Sequence, residues 1–205
     1  VPPEGCDDTQ RNSTEAHSPS AMSGSMGICM RLYLAPEADL RTFAVAPGTL
    51  KVWLHFPRSS RDIALHEYWR GLDAILARVP ASRNRSWLTA GGADYVYAGA
   101  ADHGAHSLSA ESTASLLGVI DEVTTHRIAA YVRQQWETEA AASDLPPDLD
   151  PELLVGAVEE LELYFVPLRE FCARAVDKGY GLVMALWNAS HGASRISASV
   201  PKIGT

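Results

Sequence analysis

An apolar repeat near the C-terminus is the strongest constraint on how this chain folds. Leu154, Val158, Leu161, Phe165, Leu168, Cys172 and Ala175 recur at alternating spacings of four and three. That spacing lays one apolar stripe along about seven turns of helix. Both ends are marked in the sequence. Asp150 is an N-cap, Pro151 takes the first helical position, and Glu152 puts an acid in the first turn. Gly179 follows Lys178 as a C-terminal stop. Pro167 sits inside the repeat and lacks a backbone donor, which predicts a kink over 163–167. Tyr180 to Trp187 is a short, wholly apolar run and reads as an inner strand.

Upstream, the pattern predicts few strands, separated by helices. Gly27 to Leu34 is apolar except for Arg31 and reads as a buried strand closed by Pro36. A short helix starts over 36–40, and Val45 to Phe56 is ambiguous between strand and amphipathic helix. Ser60 to Ala77 reads as one helix, because Ile63 or Ala64, Tyr68, Leu72, Ile75 and Leu76 fall at helical spacings. Residues 81–107 contain Gly91, Gly92, Gly99 and Gly104 and read as a long polar connection, strand-like only from Asp94 to Tyr97. Such a connection within a domain is often functional. Ser109 is the N-cap of a helix with the stripe Leu116, Leu117, Ile120 and Val123. A second helical segment carries Ile128, Tyr131, Val132 and Trp136. Regular strand–helix alternation is missing, so the class is α+β: a small sheet packed against several helices, one of them long and C-terminal.

The length of 205 residues suits one domain with appendages. Residues 1–25 are rich in Ser, Thr, Pro and Gly and read as a disordered tail. The domain then covers 26–187, and 188–205 reads as a flexible second tail. Seventeen basic against 25 acidic residues give a net charge of −8. That balance disfavours binding to a nucleic-acid backbone. No run approaches a membrane span, no secretory pattern is visible, and Cys6, Cys29 and Cys172 form no CxxC pair. These features fit a reducing cytoplasm.

Several short stretches occur in an order that resembles a known family. They are Met26-Gly27-Ile28, Trp69-Arg70-Gly71-Leu72 within Leu65 to Leu76, and Leu108-Ser109-Ala110-Glu111. The pairing of Leu161–Ala175 with Gly181–Leu186 closes the series. Together they resemble the YfbM-like family of bacterial proteins of unknown function. The resemblance implies a compact α+β domain over roughly residues 26 to 187 and no established activity. The family pattern Gly-Tyr-Gly-Pro-Ala-Arg-Tyr-Leu corresponds here to Ala101-Asp102-His103-Gly104-Ala105-His106-Ser107-Leu108, so the resemblance puts His106 at the arginine position and Ser107 at the tyrosine. Histidine supplies neither the permanent charge nor the fork of arginine.

No catalytic constellation emerges, and no cofactor is implied. Asp102, His103 and His106 offer three possible ligands within five residues, but no fourth ligand is nearby, and a solvated loop accounts for them. His66-Glu67 would begin a zincin motif, yet position 70 is Arg, so no metal site is assigned. On a helix His66 would share a face with Trp69 and Arg70. A small-molecule or enzyme site would therefore combine His66, Trp69 and Arg70 with Tyr95, His103 and His106. The other candidate is an acidic surface: Asp148, Asp150, Glu152, Glu159, Glu160 and Glu162, in a stretch from Asp144 to Leu168 without Lys or Arg. That surface would suit a basic protein partner, through a non-enzymatic role of which an immunity-like one is a form. The oligomeric state is not legible.

Overall fold

The first and last strands of the fold lie side by side at the centre of its sheet. The structure is a computed structural model that describes residues 28–55, 62–66, 68–98, 100–143, 145–146 and 148–188. β1 (Ile28–Pro36) pairs antiparallel with β5 (Tyr180–Asn188) over nine residue pairs, from Ile28 opposite Asn188 to Pro36 opposite Tyr180. β2 (Asp62–His66) adds to the outer side of β1. β4 (Ala105–Leu108) adds to β5, and β3 (Tyr95–Tyr97) to β4. The order is β2-β1-β5-β4-β3, and every pairing is antiparallel.

Alternation along the strands divides the core in two. Met30, Leu32 and Leu34 of β1 and Leu182 and Met184 of β5 face one way. Onto them pack α3 (Trp69–Ala77), α4 (Ala110–Asp121), α5 (Thr125–Ala142) and α6 (Pro151–Asp177). Tyr33, Ala35, Val183 and Ala185 face the other way, against α1 (Glu37–Val45) and α2 (Pro47–His55). Leu40, Phe43, Leu50 and Trp53 close that smaller core. α6 buries Val158, Leu161, Phe165, Leu168, Phe171, Cys172 and Ala175. A fully buried leucine such as Leu168 contributes about 1.5–3 kcal/mol relative to exposure.

Local signals explain most boundaries. Asp150 caps α6 through its side chain, which accepts a hydrogen bond from Glu152 N–H at 2.8 Å. Ser109 caps α4 by accepting from Ser112 N–H. Gly179 ends α6 at φ 62°, in the left-handed region that favours glycine. The ambiguous stretch from Val45 to Phe56 is helical from Pro47 to His55. α6 runs on through Pro167 as one helix.

Three expectations are corrected. The single helix expected over 60–77 is a strand followed by a helix. Ile63 and Leu65 alternate toward the larger core while β2 pairs with the edge of β1, and His66 at φ 45° turns the chain into α3. A five-residue segment carries too little periodicity to separate the two forms, and the open edge of β1 decides it. The polar connection over 81–107 holds β4 as well as β3, because Ala105–Leu108 completes the sheet beside β5. Asn188, placed at the start of a tail, is instead the last residue of β5. The rest of both expected tails lies outside the described residues, as do Glu67, Asp144 and Pro147.

Candidate functional site

The residues expected to share a ligand site stand apart. His66 lies at the end of an edge strand and is exposed; its ring centroid is 6.3 Å from that of Tyr164 on α6. It shares no helix face with Arg70, since only Trp69 and Arg70 belong to α3. Trp69 is buried in the larger core, and the Arg70 guanidinium sits 5.1 Å from its ring centroid. Tyr95 is on β3, at the opposite edge of the sheet. His106 is on β4, three strand spacings or roughly 14 Å from β2. His103 is exposed on the loop before β4, where its Nε2 lies 2.7 Å from Asn188 Oδ1. The expected pocket uniting His66, His103 and His106 does not form, because β1 and β5 separate the two regions. Among the described residues, no group of three or more His, Cys, Asp or Glu side chains is placed to hold a metal ion.

His106 has a structural assignment. It is 2% exposed, and its Nε2 lies 3.2 Å from the Leu88 carbonyl oxygen. Burial pushes its pKa below the ordinary histidine value, against the opposing pull of the Leu88 hydrogen bond and the Asp73 charge. A neutral ring that donates from Nε2 to Leu88 O satisfies this geometry.

Two carboxylates that went unnoticed in the sequence organise the connection around residue 88. Asp73 of α3 is buried, and its Oδ1 accepts from Trp87 N–H at 2.6 Å and Leu88 N–H at 2.7 Å. Ser86 Oγ donates to its Oδ2. Asp94 sits at the start of α4: its Oδ2 accepts from Ser109 N–H at 2.6 Å and its Oδ1 from Ser112 Oγ at 3.1 Å. Burial alone would raise the Asp94 carboxyl. The hydrogen bonds from Ser109 and Ser112 and the charge of Arg85 outweigh burial and hold it below the usual carboxylate value. Glu37 Oε2 accepts from Ala110 N–H at 3.2 Å, so the chain supplies its own anions to the α4 N-terminus. An Asp fourteen or fifteen residues from its donors leaves no local sequence signal, so only the fold reveals these clamps.

The residues of the expected acidic surface differ in exposure and in commitment. Asp148, Glu152, Glu159 and Glu160 are exposed. Asp150 is committed to capping α6, Glu160 accepts from Tyr68 Oη, and Glu162 accepts from Thr125 Oγ1 at 2.5 Å. The outward face of α6 also carries apolar side chains that sequence reasoning missed. Leu163 is 73% exposed, Val166 59% and Val155 56%. At 100° per residue they share that face with Glu152, Glu159 and Glu170. No helix among the described residues is long and apolar enough to cross a membrane.

No protein-family model and no curated protein matches the chain. Among solved structures, it resembles YfbM from Escherichia coli, described as a protein of unknown function. The alignment covers 77% of this chain and 99% of that one, with a TM-score of 0.54 and 10% sequence identity. The fold is YfbM-like. At that identity the likeness concerns the arrangement of the backbone. It agrees with the five-stranded sheet and the 27-residue C-terminal helix of the YfbM-like fold seen here.

Proposed function

We propose that this protein is a non-enzymatic interaction module of the cytoplasm, and that the outward face of α6 docks a basic partner. One observation carries the reading. Val155, Leu163 and Val166 stand exposed along one helix face, interleaved with Glu152, Glu159 and Glu170. Large apolar side chains left exposed among like charges on one helix face suit a recognition surface better than a solvated helix. The charges on that face are acidic, so the complementary segment is an amphipathic helix that presents apolar side chains together with Lys and Arg. Masking of a basic protein, as an immunity protein does, is one form this role takes.

A defined probe tests the proposal: a leucine–lysine amphipathic helical peptide added to the full chain and followed by amide NMR. The expected shifts cluster on the outward face of α6 and weaken in Leu163→Ser and Val166→Ser. A scrambled peptide of the same charge is expected to bind more weakly, because its apolar residues no longer form a stripe. Equal binding of both peptides would reduce the surface to unspecific charge attraction and refute the proposal.

A further inference from the structure

A groove runs between the turn at 81–87 and the outer side of α4. Its volume is about 350 Å³, within the range of small-ligand sites. Ser82, Arg83, Arg85 and Trp87 line one wall, and Gly118 and Glu122 lie on the other. Three features distinguish it from an ordinary surface crease.

First, Arg85 is fixed in place. Its guanidinium lies 4.3 Å from the Trp87 ring centroid, its Nε donates to Gly92 O at 3.0 Å, and its Nη2 reaches Gly92 O and Asp94 Oδ1. The Nη1 edge meets no acceptor among the described residues. Second, Arg83 stands on the rim at φ 51°, followed by Asn84 at φ 61°. A left-handed arginine is disfavoured, and glycine would suit the position better. The Arg83 backbone N–H closes the turn on Pro80 O at 3.2 Å, but its side chain makes no hydrogen bond or ion pair among the described residues, so the local fold gives no reason for its guanidinium. Third, a Cβ built on Gly118 meets nothing within 4 Å, so the helix presents bare backbone to the groove.

We infer that this groove binds a small organic oxyanion, a carboxylate or a phosphate monoester, between Arg83 and Arg85. The Nη1 group of Arg85, held over the indole, and the Arg83 guanidinium each supply charged N–H donors that suit the oxygens of either group. The body of the ligand lies over Gly118, where a side chain would obstruct it. Ser115 lines the same wall as Gly118; Glu122 sits seven residues beyond Ser115, roughly 10 Å along the helix, and repels a second anionic group at that end. The ligand thus carries its charge at one end. This site is separate from the outward face of α6 and does not depend on how that face is used.

The test titrates the full chain with benzoate and, separately, with phenyl phosphate, reading the Arg85 Nε–H and Trp87 Nε1–H signals by NMR. A saturable shift with either probe supports the site, and the stronger probe assigns the source of the oxyanion. Arg83→Gly accepts φ 51° and keeps the fold; binding is expected to weaken about tenfold, the loss of one charged hydrogen-bonding group. Gly118→Leu fills open space and is expected to abolish the shift with little change in Tm. No saturable shift with either probe overturns the inference. A shift that survives unchanged in both variants overturns it as well, because the anion then binds elsewhere.

Discussion

Removal of the Asp73 carboxylate should expose how much of the fold depends on one buried acceptor. Asp73 is 7% exposed and takes hydrogen bonds from Trp87 N–H, Leu88 N–H and Ser86 Oγ. In Asp73→Ala, two buried backbone donors lose their acceptor, and each unsatisfied group costs about 1–3 kcal/mol. Loss of the packed side chain adds to this, so the expected destabilisation is about 3–5 kcal/mol. Asp73→Asn keeps an oxygen for the two N–H groups, while its amide can face the Ser86 hydroxyl, which can accept as well as donate. Its expected cost is about 1–2 kcal/mol. The assay is urea unfolding of both variants, followed by tryptophan fluorescence and by circular dichroism. For a chain of this size, Tm should fall by roughly 6–20 °C for the alanine variant. If Asp73→Ala loses less than about 1 kcal/mol, or the asparagine variant is the less stable of the two, the clamp is not what holds residues 86–88.

Other consequences follow from the same structure. His106 has a folded-state pKa below its unfolded value, so the unfolded chain binds the proton more readily. Its contribution is fully present above about pH 6.5 and is lost as pH falls from there toward the folded-state value. Chemical denaturation across that range should show the acid-side loss, and His106→Gln, which retains a donor for Leu88 O, should remove it. Cys172 is fully buried with its pKa pushed up to about 12, and burial raises Cys29 as well. In a Cys6→Ser chain, neither thiol should react with Ellman's reagent at pH 8 until denaturant is added; prompt labelling of that native variant would contradict the burial. A Cβ at Gly181 would lie 2.3 Å from Leu108 O and 2.5 Å from Leu40 Cδ1. Gly181→Ala must therefore push β5 from β4, and a loss of about 1–3 kcal/mol in thermal or urea unfolding is expected.

The long C-terminal helix and its flanking strand were legible because their signals are local. A stripe of period 3.6, an N-cap, a first-turn proline and a terminal glycine all act within a few residues. Ser109 was legible for the same reason. β2 and β4 were not, since five and four residues carry no decisive period and their strand form comes from pairing with β1 and β5. The candidate ligand residues followed suit. His66, Trp69 and Arg70 look close in sequence to a shared helix face, but the turn at His66 divides strand from helix.

The amino-acid sequence by itself determined the class, the helix that dominates one face, the acid-rich character of that helix and the buried strand that follows it. These properties depend on neighbours along the chain. Tertiary structure alone decided that the terminal strands meet at the centre of the sheet, and that His66 and His106 lie roughly three strand spacings apart. It alone turned Asp73 and Asp94 into clamps and left Leu163 and Val166 facing outward. The reason is physical: a side chain's periodicity is local, whereas its hydrogen-bond partner and its access to water are set by segments far away in the chain.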